Sequence, residues 1–162
     1  MTPVPQRKPT RLPEHDYSQP GGYFLTVCTK EKAHLFGRLV GAGHPAGPYV
    51  ELSEYGNIVE RRIRSLSQAY SGVFVDAYVV MPNHIHLLLR FDPESGPAGC
   101  PAPTTSLPKV ISALKSLCSK DAAVPLWQRG YYEHILRNEE DFRACAEYIL
   151  GNPARWAEYK AK

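Results

Sequence analysis

The chain has 162 residues, a length that suits one domain and can bury a core without disulfide or metal staples. Lys and Arg number 19 against 16 Asp and Glu, for a net charge of +3. That slight excess is compatible with nucleic acid but does not require it. The four cysteines, Cys28, Cys100, Cys118 and Cys145, are scattered and form no Cys-x-x-Cys pair. They fit reduced thiols in a cytoplasmic protein better than a disulfide framework. No apolar run approaches the length of a membrane span, and Met1 to Lys8 carries Pro3 and Pro5 without an apolar stretch. A soluble protein with no signal peptide is therefore expected, and no membrane partner.

In chain order, residues 1–21 are rich in proline and charge and read as an irregular arm ending at Gly21-Gly22. Tyr23 to Thr29 is β-branched and aromatic, which predicts a strand. Residues 41–48, GAGHPAGP, predict a loop. Residues 53–70 predict an amphipathic helix, with Tyr55, Ile58, Val59, Ile63, Leu66 and Tyr70 near helical spacing. Val73 to Val80 and Asn83 to Phe91 predict two strands joined at Pro82-Asn83 as an antiparallel hairpin. Residues 92–105, DPESGPAGCPAPTT, predict a flexible loop. Ser106 is placed to cap a helix to about Lys120, whose apolar stripe is Leu107, Val110, Ile111, Leu114, Leu117 and Cys118. Trp127 to Leu136 predicts a fourth strand. Asn138 caps a last helix, acidic in its first turn and stopped by Gly151 and Pro153. The mixture points to a single α+β sandwich over residues 1–162, a mainly antiparallel sheet with helices packed on one face.

Three constellations could carry chemistry. On a strand, His84 and His86 stand side by side while Ile85, Leu87 and Leu89 face the other way. Two neutral imidazoles so placed can chelate a divalent metal, or simply decorate a polar strand face. A histidine-triad nucleotide hydrolase would need a third alternating histidine, and position 88 is Leu88. In the last helix, Tyr148 lies roughly 130° from the middle of the apolar stripe Phe142, Cys145, Ala146, Ile149 and Leu150. It is either a half-exposed tyrosine resting on a loop or a phenol presented to a cleft, able to attack phosphorus once deprotonated. Asn152, four residues on, could add an amide oxygen as a third, harder ligand. The basic residues Arg61, Arg62, Lys115, Arg129, Arg137 and Arg155 are either solvated surface or phosphate contacts. Trp127, Tyr131 and Tyr132 could stack on unpaired bases, though at least one of the tyrosines is expected in the core.

Three segments, RLPEHDYSQPGGYFLTVCTK, YVVMPNHIHLLL and LWQRGYYEHILRNEEDFRACAEYILGNPARW, occur in this order and spacing between Arg11 and Trp156. Together they resemble the single-tyrosine HUH transposases, especially the REP-associated tyrosine transposases. The resemblance implies a ferredoxin-like α+β domain. It implies His84 and His86 as metal ligands, Asn152 at the place of a polar third ligand, and Tyr148 as nucleophile. It implies cleavage and joining of single-stranded or hairpin DNA through a covalent 5′-phosphotyrosine, with Mg²⁺ or Mn²⁺. It leaves open a homodimer in which the helix serves the partner's site. His134 is a candidate base for the phenol. The alternatives are a non-catalytic or domesticated single-stranded nucleic-acid-binding protein of the same fold, and a metal-dependent hydrolase of small phosphate esters.

Overall fold

A computed structural model of the chain describes residues 21–41, 43, 45–92 and 106–161. The amino-terminal arm to residue 20 and the loop expected at 92–105, apart from Asp92, lie outside the described residues. The central hairpin forms as the sequence predicts. Strands β4 (Val73–Met81) and β5 (His84–Phe91) run antiparallel with Met81 opposite His84, so only Pro82 and Asn83 make the turn. The register slips by one residue between Val75 and Ala77, a bulge that leaves Asp76 unpaired. On the other side of β5 lies β1 (Gly21–Cys28), paired from Gly21 opposite Phe91 to Cys28 opposite His84. The expected arm thus gives way to strand at Gly21. Strand β6 (Tyr132–Ile135) closes the edge beside β1, giving the order β4-β5-β1-β6 with every neighbour antiparallel. The fourth strand is shorter than expected. Trp127 contributes a single bridge to Thr29, and the chain between is irregular.

Helix α1 (Glu54–Arg64) connects β1 to β4 by way of a small hairpin, and α3 (Leu107–Ala122) connects β5 to β6. This is the split βαββαβ order of a ferredoxin-like sandwich. The helix expected over 53–70 breaks at Ser65, and a one-turn helix α2 (Leu66–Ala69) follows. Ser65 Oγ donates to the Arg62 carbonyl at 2.8 Å, a local bond that competes with the helical ladder. Two strands were not foreseen. Strands β2 (Gly37–Val40) and β3 (Tyr49–Leu52) form a separate hairpin whose connection is the expected 41–48 loop.

The main core lies between one sheet face and the layer of α1 and α3. Tyr23, Leu25 and Val27 of β1 and Ile85, Leu87 and Leu89 of β5 meet Val59 and Ile63 of α1 and Val110, Ile111 and Leu114 of α3. Each such side chain, taken from water, contributes about 1.5–3 kcal/mol. Leu117, assigned to the α3 stripe by spacing, is instead exposed at its margin. A two-pronged bond from Arg62 to Asp121, at 2.6 and 2.9 Å, ties α1 to α3.

Packing on one face describes α1 and α3. Helix α4 (Glu139–Leu150) lies on the opposite face, where Phe24, Leu88 and Ile149 form a second buried cluster edged by Phe142, Cys145 and Ala146. Asn138 caps α4 as predicted, its Oδ1 accepting from the Asp141 N–H at 2.8 Å. Gly151 ends α4, but the chain restarts at once as α5 (Asn152–Ala161). Pro153 falls in the first turn of α5, where a missing N–H costs nothing. The helix capped by Asn138 thus ends where the sequence predicts, and the immediate restart as α5 is the feature not foreseen. No helix among the described residues is long and apolar enough to cross a membrane.

The start of α1 is wedged against the turn before β2. The Phe36 carbonyl accepts from the Ser53 N–H at 2.9 Å, and a Cβ on Gly56 would lie 2.0 Å from that same oxygen. Gly56→Ala is expected to destabilise the fold by about 1–3 kcal/mol in denaturant unfolding, because the helix must shift from its seat. Gly21→Ala, with open space around its Cβ position, is the control and should change stability little. Equal midpoints for the two variants would remove the wedge from the account of α1.

Candidate active site

Strand alternation on β5 puts Ile85, Leu87 and Leu89 into the main core and His84 and His86 onto the α4 side. The face is shared with the cross-strand partners of β1, Cys28 opposite His84, Thr26 opposite His86 and Phe24 opposite Leu88. His86 is buried and His84 half-buried. Their Nε2 atoms lie 3.2 Å apart. Two ligands about 2.1 Å from one ion are about 3.0–3.4 Å apart at octahedral or tetrahedral angles, so the spacing fits a shared divalent cation.

The remaining ring nitrogens are held from behind. His84 Nδ1–H donates to Asn83 Oδ1 at 2.7 Å, which leaves the lone pair on Nε2. His86 Nδ1 and Thr26 Oγ1 hydrogen-bond at 2.9 Å. A hydroxyl can donate or accept, so Thr26 serves either tautomer of His86. Burial pushes the His84 pKa down to about 4, with the Asn152 side chain opposing and Lys32 reinforcing the shift. Burial, reinforced by His84 itself, pushes His86 down to about 3. Both rings are therefore neutral at physiological pH, the state a metal requires.

The join between α4 and α5 delivers the other groups. Asn152, the first residue of α5, is buried, and its side chain lies against His84, where it favours the charged form of the ring. Its Nδ2–H also donates to the Tyr148 carbonyl at 3.3 Å, which leaves its amide oxygen toward the imidazoles. Tyr148 is 40% exposed, so the phenol is packed on one side and open on the other. Its ring centre lies 5.3 Å from that of His86 and 5.7 Å from that of Phe24, both edge-on. Phe24 in turn stacks on His86 at 5.2 Å. The Arg155 guanidinium lies over the outer face of the Tyr148 ring, 4.6 Å from its centre. Trp156 stands 5.8 Å from the His84 ring and 5.6 Å from His34, forming an aromatic wall.

The structure thus brings together His84, His86, Tyr148, Asn152 and Arg155 within one chain. The other basic candidates sit elsewhere. Arg61 and Arg62 are on α1, across the sheet, with Arg62 engaged by Asp121. Lys115 of α3 donates to the carbonyls of Gln128 and Gly130 at 2.9 and 3.1 Å, a structural tether. Arg129 is exposed in the irregular segment before β6, and Arg137 is exposed in the connection between β6 and α4. His134 is bound to Asp141 near the beginning of α4, two turns before Tyr148. Trp127 packs on Phe36 at 5.1 Å and Tyr131 against the main core, whereas Tyr132 is 62% exposed at the sheet edge.

Phe24, Thr26, Asn83, His34 and Trp156 join the site without having been singled out from sequence. Asn83 carried a signal, but one for a turn. Trp156 falls four residues after Asn152, one turn along the same helix face. Thr26 and Phe24 carry none, because only the register of β1 against β5 puts them beside the imidazoles.

No family model matches the chain. A Haemophilus influenzae protein of unassigned function is 29% identical over 96% of this chain and 92% of its own length. A second protein of that organism, assigned as a REP-associated tyrosine transposase, is 23% identical over 86% of this chain and 74% of its own length. A solved REP-associated tyrosine transposase, bound to a REP hairpin, superposes with a TM-score of 0.60 at 19% identity, over 90% of this chain and 73% of that one. The chain therefore has the fold of a REP-associated tyrosine transposase and, in its sequence too, resembles the single-tyrosine transposases.

Proposed function

We propose that the protein is a metal-dependent DNA strand-transferase that cleaves and rejoins single-stranded DNA through a covalent 5′-phosphotyrosine. The observation that carries this reading is the convergence, in one chain, of the Tyr148 ring on the His86 ring at 5.3 Å. A nucleophile beside a pair of neutral imidazoles is the minimum a phosphoryl-transfer site of this type needs. His84, His86 and Asn152 would hold Mg²⁺ or Mn²⁺, with Asn83 and Thr26 orienting the two rings. When bound, that cation supplies Lewis-acid polarisation of the scissile phosphate.

The chain's own residues do the rest. Tyr148 Oη attacks phosphorus, forming the phosphotyrosyl bond as the bond from phosphorus to the 3′-oxygen breaks. The phenol gives up its proton and the leaving 3′-oxygen gains one. The open side of Tyr148 admits the strand, and Arg155 over the ring places a positive charge where the phosphate enters. His34 and Trp156 border the same opening and offer stacking surface for an unpaired base. The phosphodiester energy stays in the adduct, so a 3′-hydroxyl can reverse the step without a nucleotide cofactor. The hairpin on the solved structural relative motivates hairpin DNA as the substrate to try first.

Tyr148→Phe keeps the ring and its packing but removes the nucleophilic oxygen. With an end-labelled hairpin oligonucleotide and Mn²⁺, the wild type should form a labelled protein adduct on denaturing gels. The variant should form none and bind the oligonucleotide within about twofold of wild type. An adduct in the variant would assign the nucleophile elsewhere. Binding without any wild-type adduct would leave a single-strand-binding module, and release of product without an adduct would mark a hydrolase.

Replacing both His84 and His86 by Ala should abolish cleavage at every Mn²⁺ concentration, and unchanged rates would refute the metal assignment. Thr26→Val, which removes only the hydroxyl behind His86, should raise the Mn²⁺ concentration for half-maximal cleavage by about 10–100-fold while the rate at saturation recovers. An unaltered metal titration would deny Thr26 its positioning role.

A further inference from the structure

A second set of ligating side chains lies on the α4 side of the sheet, where β6 meets the start of α4. His134 is paired opposite Phe24 on β6 and so projects to the face that α4 covers. Asp141 and Cys145 are four residues apart on α4, one turn above the other. His134 Nε2 lies 3.0 and 2.9 Å from the two Asp141 carboxylate oxygens. One ligand atom from each of His134, Asp141 and Cys145 lies within 4.8 Å of the others, and all three residues are half-buried. The carboxylate is anchored independently, since the Arg137 backbone N–H donates to Asp141 Oδ2 at 3.2 Å.

We infer that His134, Asp141 and Cys145 form a cation site of their own, for a borderline-soft divalent ion of the Zn²⁺ class. One imidazole nitrogen, one carboxylate oxygen and one thiolate sulfur are a zinc donor set, whereas Mg²⁺ and Mn²⁺ favour oxygen. Bonds of about 2.0–2.3 Å at tetrahedral angles space such ligands about 3.3–3.7 Å apart. Half-exposed side chains reach that spacing by small rotations about their own bonds. The ion would take the place of the proton between His134 Nε2 and Asp141, with the imidazole proton moving to Nδ1. The Cys145 thiol would release its proton to solvent, one per ion bound. The side chains of His134 and Asp141 are 39% and 26% exposed, so a fourth position opens to water.

Such an ion would cross-link β6 to α4. Cys145 is three residues before Tyr148 on the same helix, so the cross-link would fix the element that carries the phenol. The inference does not rest on the strand-transfer chemistry, which uses none of the three ligands.

The probe is Co²⁺, a spectroscopic substitute for Zn²⁺, added to the chelator-stripped full-length protein. Thiolate ligation gives a near-ultraviolet charge-transfer band that a site of two histidines and an asparagine cannot give. The band should saturate at one equivalent in the His84→Asn, His86→Asn double variant and by two equivalents in the wild type, whose paired histidines also take Co²⁺, and Zn²⁺ should displace it. It should vanish in Cys145→Ser and need at least tenfold more Co²⁺ in Asp141→Asn. No band in the wild type, or a full band in Cys145→Ser, would overturn the site. Should Cys145→Ser fail to fold by circular dichroism, alkylation of the wild type decides. Zn²⁺ should slow labelling of Cys145 at least tenfold in peptide mass spectra, and an unchanged rate again overturns the site.

Discussion

The pairing of β1 with β5 is the constraint on which everything else depends. Side chains on a strand alternate with a period of two, so one register fixes the whole face. With Thr26 opposite His86, the apolar set Ile85, Leu87 and Leu89 enters the core beneath α1 and α3. The same register sets the two imidazoles on the other face, with the hydroxyl behind one of them. A slip by one residue would bury both histidines in hydrocarbon and turn three large aliphatic side chains toward the cleft. Burial of the core is therefore also what aims the imidazoles.

The second organising contact is the seat of α4 on the imidazole face. Ile149 is buried with Phe24 and Leu88, and this small cluster lies immediately beside the site. Phe24 has two tasks: it is part of the hydrophobic seat, and its ring stacks on His86 and meets the edge of Tyr148. Helix α5 continues the arrangement, leaning on the β2–β3 hairpin and on β4. The unforeseen hairpin thereby supports the helix that carries Asn152, Arg155 and Trp156.

Desolvation is what keeps the two imidazoles neutral. Burial disfavours the charged ring, and the proximity of the two rings disfavours it further for His86. The groups that cost most to bury as ions are thus kept neutral, with lone pairs available. The hydrogen bond donated by His84 to Asn83 and the bond between His86 and Thr26 satisfy the other ring nitrogens, so the burial leaves no orphaned polar atom on the far side of either ring. Asn152 is an amide rather than a carboxylate, so it adds no charge beside the imidazoles.

Local pattern was enough to find the elements that have a strong period. The Pro82-Asn83 hairpin, the α1 and α3 stripes and the Asn138 cap all follow from spacing and turn chemistry acting over a few residues. The same period placed His84 beside His86 and set Tyr148 off the apolar stripe of its helix. Where competing local bonds or weak patterns decide, sequence fell short: the break at Ser65, the shortness of β6 and the hairpin β2–β3. Gly151 and Pro153 read as a stop, yet proline at the start of a helix is favourable, and only the restart at Asn152 carries that amide to His84. Above all, the sequence could not say which basic residues meet the site. Arg62, Lys115 and Arg155 look alike in one dimension. One bridges two helices, one tethers a loop, and only Arg155 lies over the phenol. Periodicity determines which side of an element a residue occupies, because it acts within that element. Which sides then meet is settled by strand register and by the packing of helices on both sheet faces, and those arise only when the whole chain has folded.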